Sequence, residues 1–240
     1  MTEPPARGAI DPDVDGPFDI ADFDDPAQAE VARLNLGSVL IPAPETGQLQ
    51  VELTETGVPN AVWVITPSGR FTIAAYAAPK TTGLWREVAG ELADALRKDF
   101  GEVSIEMGPW GREVVGSGQN GIVRFIGIDG YRWMIRCVIN GTEDTIDIVA
   151  AEARKALADT VVSRGDTPLP VRTPLPVQLP EAMAEQLRQV AAQQAAAQEG
   201  QAQEGRAQEG QEQSAPPQPA ARRAAPGSAM QQLRTTMGGA

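Results

Sequence analysis

The stretch "GIVRFIGIDGYRWMIRCVI", residues 121–139, constrains the fold more than any other part of this chain. Asp129-Gly130 is a two-residue turn of the kind that joins antiparallel strands, and both flanks alternate in polarity. A two-residue loop at that point pairs Ile128 with Tyr131, Ile126 with Trp133 and Arg124 with Ile135. One face of the hairpin then carries Ile122, Ile126, Ile128, Tyr131, Trp133, Ile135 and Cys137, interrupted only by Arg124. The other carries Val123, Phe125, Gly127, Arg132, Met134, Arg136 and Val138. The first face is the richer in large apolar groups and is expected to meet the core.

The elements around this hairpin follow from the same reasoning. "RLNLGSVLIP", "QLQVELTE", "NAVWVITP" and "RFTIAAYAA" read as four short strands, with Pro67-Ser68-Gly69 turning the third into the fourth. Leu84, Val88, Leu92, Leu96 and Phe100 recur at every fourth position, which predicts a helix with Thr82 as N-cap and Gly101 as its stop. "EVSIEMG" and "GREVVGSG" are two more strands. A second helix follows the hairpin, with Ile146, Val149, Ala153 and Leu157 on one face. Its acidic residues Glu143, Asp144 and Asp147 lie near the N-terminus and Arg154 and Lys155 nearer the C-terminus, as the helix dipole favours. The expected class is α+β: antiparallel sheets of short strands with two main helices packed on one face, flanked by disordered tails. A domain over 31–165 is long enough to bury its own core.

Charge marks the boundaries. Residues 1–30 hold nine acidic side chains and one arginine, a net of −8, whereas 31–165 carries −3 and 166–240 carries −1 of the total of −12. An acidic segment punctuated by Pro and Gly, with Phe18, Ile20 and Phe23 as its main large apolar groups, is expected to stay disordered. "FDIADFDDP" is its one candidate docking motif. Residues 166–180 repeat "TPLPV" and are expected to be extended, with Leu169, Val171, Leu175 and Val177 able to lie on the domain. Residues 181–197 form a marginal helix with a thin stripe of Met183, Leu187 and Val190. The Gln/Glu/Gly repeats and Pro/Ala-rich end, 198–240, read as disordered.

Several chemistries are excluded by what the chain lacks. It has no histidine, which removes the commonest general base, the usual metal ligand and every Ser-His or Cys-His pair. Its single cysteine, Cys137, allows no disulfide within the chain and falls on the core face, where an inert role is the usual one. No signal segment and no apolar run of membrane-spanning length is present, so a cytoplasmic location without membrane contact is expected.

Gly116, Gly118 and Gly121 match the nucleotide-binding pattern G-x-G-x-x-G, and Val123 extends it to the protein-kinase form. Gly121 nevertheless opens a strand where a dinucleotide site needs a helix. The kinase form needs a lysine in the next strand, yet "YRWMIRCVI" has none. The glycines are therefore expected to shape a turn. Neither Glu143/Asp144 nor Glu102/Glu106 is more than a helix first turn and an outward strand face. No catalytic residue, cofactor or metal ligand is assigned.

What remains is the second hairpin face. Phe125, Arg132, Met134 and Arg136 form a candidate binding face, since a cationic sheet surface with an aromatic suits a partner or a stacked base. The expected function is a non-enzymatic protein-binding or adaptor module with an unknown protein partner. The alternative is a nucleic-acid- or nucleotide-associated protein using the Arg/Phe face of the 121–139 hairpin.

Four ordered blocks, "AAPKTTGLWREV", "GPWGREV", "RFIGIDGYRWMIRCVINGT" and "RGDTPLPV" with "PLPVQLP", resemble an actinobacterial family, the domain of unknown function 3710. The resemblance covers about 31–180. It implies proline where Tyr131 stands and often glycine where Cys137 stands, and gene neighbourhoods that often include dUTPase. It implies no activity, and hence no catalytic residue.

Overall fold

The computed structural model describes residues 16–44, 47–189 and 192–193. They belong to two compact units divided between Glu185 and Gln186. In the second unit, residues 186–189 and 192–193 are helical. The first unit runs β1 (Phe18–Asp19), a 3-10 turn (Ile20–Asp22), α1 (Pro26–Glu30), β2 (Arg33–Asn35), β3 (Val39–Pro42), β4 (Gln48–Leu53), β5 (Pro59–Thr66) and β6 (Gly69–Ala77). It continues through α2 (Leu84–Leu96), β7 (Glu102–Gly108), β8 (Gly111–Gly118), β9 (Gly121–Asp129), β10 (Trp133–Gly141), α3 (Ile146–Ala158) and β11 (Val161–Val162).

Two sheets result. The larger has seven antiparallel strands in the order β4-β5-β6-β10-β9-β8-β7, and the smaller is β1-β11-β3-β2. The expected α+β class with antiparallel sheets of short strands is what forms. Residues 33–42, expected as one strand, are a hairpin: Gly37 takes φ 81°, the Leu36 N–H reaches the Val39 carbonyl at 2.9 Å, and β2 folds back on β3.

The hairpin of β9 and β10 has a different register from the one its Asp-Gly turn predicts. Ile135 pairs with Ile128, Arg136 with Gly127 and Cys137 with Ile126, and Gly130 donates to the Trp133 carbonyl at 2.9 Å. The two-residue loop is therefore Tyr131-Arg132, with the positive φ on Arg132 (65°). The slip is an even number of residues, so every side chain on the strands keeps its face. Ile126, Ile128, Trp133, Ile135 and Cys137 are buried on one side, as expected of the core face. Tyr131 is not: it sits at the loop tip, 61% exposed.

The two long helices lie on opposite faces of the large sheet, not on one. α3 packs Ile146, Val149, Ala150, Ala153 and Leu157 against Ile126, Ile135, Cys137 and Ile139, together with Val39, Ile41 and Val162 from the small sheet. α2 packs Leu84, Trp85, Ala89 and Ala93 against Val114 and Met134, with Phe125 and Val103 beside them. The reason is that the second hairpin face, though less apolar, carries Met134, Phe125 and Val123, enough to seat one amphipathic helix. Trp85 lies flat over Gly127, where a Cβ would stand 1.9 Å from the indole.

The N-terminal segment is ordered from Gly16, a correction to the disorder expected for 1–30. Phe18 and Asp19 add a parallel strand to β11, and Phe18, Ile20 and Phe23 pack on a small cluster of Ala29, Leu40 and Val161. Asp19 caps the 3-10 turn through the Ala21 N–H and accepts the indole N–H of Trp133 at 2.7 Å. The candidate docking motif "FDIADFDDP" is thus docked within its own chain: Asp19 takes the indole donor that the core leaves over at Trp133, while Asp22 and Asp25 accept from nearby backbone N–H groups. The tail expectations for 1–15 and 198–240 lie outside the described residues.

The Pro-rich segment bridges the two sheets. Arg172 and Leu175 donate to the carbonyls of Ala77 and Ala75 at 2.8 and 2.9 Å, and Ala77 donates to Thr173 at 2.9 Å, pairing the segment along the end of β6. Gln178 then reaches the Leu36 carbonyl at 3.0 Å. Leu175 is buried in the main core. Arg172 locks the segment to α2 by bonds to Glu91 at 2.7 and 3.1 Å. These bonds, before any other cause, push its pKa up.

Candidate functional site

Arg124, the one interruption of the apolar hairpin face, explains the most polar feature of the interior. Register places Arg124 across from Val115 on β8, with Glu113 two residues along the same face. Glu113 is 1% exposed and accepts Arg124 Nη1 at 2.8 Å and Arg154 Nη2 from α3 at 2.7 Å, both on Oε2. Arg154 Nε adds a bond to Oε1 at 3.2 Å. Arg124 also reaches Glu106 of β7 at 3.0 Å and Asp147 of α3 at 3.4 Å. Burial pulls the Arg124 pKa down, but the Glu113 bond and the charges of Glu106, Glu113 and Asp147 more than offset that, so it stands raised. The cluster holds three carboxylates against two guanidiniums.

Such a cluster keeps one net negative charge, which falls on its solvent-facing members Glu106 and Asp147. The Glu113 carboxylate accepts three guanidinium N–H bonds, so both its oxygens are already engaged within the fold. It ties α3 to the β7-β8-β9 end of the sheet. Gly108 makes room for it: a Cβ there would stand 1.9 Å from Glu113 Oε1. The sequence reading placed Glu106 on an outward face and did not single out Glu113. The signal was available, since an arginine on an otherwise apolar strand face requires a buried anion nearby.

Cys137 lies on the same side of the sheet and is fully buried. Burial pushes its thiol pKa up, the charge of Glu113 pushes it further, and Arg154 offsets part of this. A thiol so held is not a nucleophile near neutral pH.

The glycine motif proves to be steric. Gly118 and Gly121 close the β8-β9 hairpin, and a Cβ on Gly116 or Gly118 would meet the Phe100 ring at 3.2 Å. Gly121 takes φ 125°, and a Cβ there would approach the Gly141 carbonyl oxygen at 2.9 Å. Phe100, expected as the last residue of the helix stripe, lies past the end of α2 and covers Gly116 and Gly118.

The structure disperses the four residues of the predicted binding face. Met134 is buried and Phe125 half-buried under α2. Arg132 is in the loop. Arg136 stays at the border of the helix-covered area, its guanidinium 4.8 Å from the Tyr76 ring centroid and hydrogen-bonded to the Tyr76 hydroxyl.

Beyond that border the same sheet face has no helix over it among the described residues. Here Trp63 of β5, Thr72 of β6 and Val138 of β10 stand in one cross-strand row, with Ile65 and Arg70 in the next. Trp63, Ile65 and Val138 are half-buried and belong to none of the buried clusters. Glu52 fixes the Trp63 ring by accepting its indole N–H at 2.8 Å, and Arg70 stacks 4.7 Å from its centroid. Nothing in the sequence separated these residues from ordinary strand positions, because only the placement of α2 decides which part of the face is left uncovered.

A family model described as "Protein of unknown function (DUF3710)" matches residues 16–186. The chain belongs to this family. No curated protein and no solved structure gives a significant match. The matched region begins at Gly16, two residues before β1 and fifteen residues earlier than the resemblance at 31–180 implies, and it takes in the whole Pro-rich bridge. Both parts thus belong to what the family shares. Among the described residues no helix is long and apolar enough to cross a membrane.

Proposed function

We propose that this chain is a non-catalytic binding module that receives a protein partner on the half of its large sheet that α2 leaves uncovered. One observation carries the reading: Trp63, Ile65 and Val138 form an apolar strip outside every buried cluster, bordered by Arg70, Arg136 and Glu52. Aromatic and arginine side chains held in place by neighbours are the residues that dominate protein interfaces, because little entropy is lost when they are covered. Both signs of charge border the strip, which suits a mixed protein surface better than a phosphate backbone. Guanidiniums already lie against the Trp63 and Tyr76 rings, which leaves them less open to a stacked base. The absence of histidine and the burial of Cys137 and Glu113 support a role without catalysis.

The test is affinity capture from the native host with the full chain and with Trp63→Ala/Ile65→Asp, alongside single-stranded DNA and RNA oligonucleotides in fluorescence anisotropy. A protein retained by the wild type and lost from the double variant, with thermal unfolding unchanged in cooperativity, is the expected result. Oligonucleotide binding that is abolished by Arg70→Ala or Arg136→Ala would favour the nucleic-acid reading instead.

A further inference from the structure

The large sheet has two edges, and they are built differently. β4 carries a bulge between Glu52 and Leu53, an irregularity that discourages further pairing. β7 pairs with β8 without interruption from Glu102 to Gly108 and contains no Lys, Arg or Pro. Among the described residues no strand pairs with its outer side. Its apolar side chains Ile105 and Met107 are 42% and 78% exposed, on the α2 side of the sheet beside Val103. Glu102 and Glu106 lie on the opposite side of the strand, so the edge offers a regular unpaired backbone with one apolar side-chain row, which is a template for another strand.

We propose that β7 pairs antiparallel with β7 of a second copy of this chain, with Ile105 on the twofold axis, so that two seven-stranded sheets become one. The backbone sets this register. Gly108 and Gly111 close a two-residue loop, so they form a hydrogen-bonded pair, and the alternation makes Glu106/Glu113, Ser104/Val115 and Glu102/Ser117 the other such pairs. The N–H and C=O groups of Val103, Ile105 and Met107 therefore point away from β8. A twofold through Ile105 sets Ile105 against itself and Val103 against Met107, which joins these outward groups in hydrogen-bonded pairs. Ile105 is also the central residue of the seven in β7, so the whole strand is used.

The side chains agree with the backbone. On the α2 side the register brings two copies of Val103, Ile105 and Met107 together. On the α3 side it sets Ser104 opposite Glu106 and Glu102 opposite Gly108, so no carboxylate stands directly across from another. Arg124, 3.0 Å from Glu106, offsets the charge that would otherwise discourage the approach. The patch is self-complementary, as a twofold interface demands.

Sedimentation velocity of the full chain tests this, with Ile105→Lys, which sets two like charges across the axis, and Leu53→Lys on the β4 edge. The expected masses are dimer for the wild type, monomer for Ile105→Lys and dimer for Leu53→Lys. Hydrogen exchange on the wild type needs no variant: the Val103, Ile105 and Met107 amides are protected at high protein concentration and exchange freely on dilution. A wild type that is monomeric at high micromolar concentration, or a dimer whose β7 amides show no dependence on dilution, overturns the proposal. Loss of the partner captured through Trp63 leaves this test unaffected, because the two surfaces are at different places on the sheet.

Discussion

The Asp129 carboxylate holds the first turn of α2: its Oδ1 accepts the Trp85 N–H and its Oδ2 the Gly83 N–H, both at 2.9 Å. A residue at the end of β9 thus does for α2 what a local N-cap side chain normally does, and places a negative charge at the positive end of the helix dipole. Gly83, the residue at the cap position, has no side chain to do so. Asp129→Ala is expected to cost about 1–2 kcal/mol in urea unfolding. Thr82→Ala, at the position the sequence suggests as the cap, is expected to change stability by less than about 0.5 kcal/mol. The opposite ranking would show that the carboxylate is not the cap.

Glu113 anchors a cluster that cannot lose one member cheaply. Glu113→Ala leaves Arg124 and Arg154 facing each other without their shared anion, and breaking a buried pair from one side costs on the order of 3–5 kcal/mol. Arg154→Met, which removes the more exposed of the two cations, is expected to cost less, since Arg124 still pairs with Glu113. Chemical denaturation of the two variants checks the order.

Arg132 holds a left-handed backbone at φ 65° in the β9-β10 loop. Glycine adopts that conformation without the Cβ clash, which costs other residues roughly 1–2 kcal/mol. Arg132→Gly is therefore expected to raise stability by up to about 1 kcal/mol, reduced by the greater entropy of glycine in the unfolded chain. A fall in the unfolding midpoint would mean that the Arg132 side chain contributes more than its backbone costs.

Cys137 makes stability depend on alkaline pH. Burial raises its pKa in the folded state above the ordinary thiol value of about 8.5. Below that value both states carry the proton and pH has no effect through this group. Above it the unfolded chain loses the proton while the folded chain keeps it, so the folded state loses roughly 1.4 kcal/mol per pH unit until the folded pKa is reached. Comparing wild type and Cys137→Ala from pH 8 to 10 isolates the contribution: the wild-type curve should fall more steeply by about one proton. Parallel curves would show that the thiol is not desolvated.

Much of this arrangement was legible from local pattern. The alternation along 121–139 identified the core face even though its turn was misplaced, because an even slip leaves side-chain faces unchanged. The fourfold spacing of Leu84, Val88, Leu92 and Leu96 located α2, and Ile146, Val149, Ala153 and Leu157 located α3. The candidate binding residues fared differently. Nothing local tells Met134 and Phe125, which α2 covers, from Val138, which it does not, since all three stand on the same face of the same hairpin.

The chain's own letters were enough for the class of fold, the absence of histidine chemistry and the turn at the glycine motif, because each depends on residue type or on spacing along the chain. Tertiary structure alone decided which helix covers which face, which carboxylate caps α2 and which anion answers Arg124. Those outcomes join positions far apart in sequence: Asp129 with Gly83, Glu113 with Arg154, Asp19 with Trp133. A buried donor or charge in a sequence announces that it needs a partner, but the partner is selected by the fold that brings one within about 3 Å.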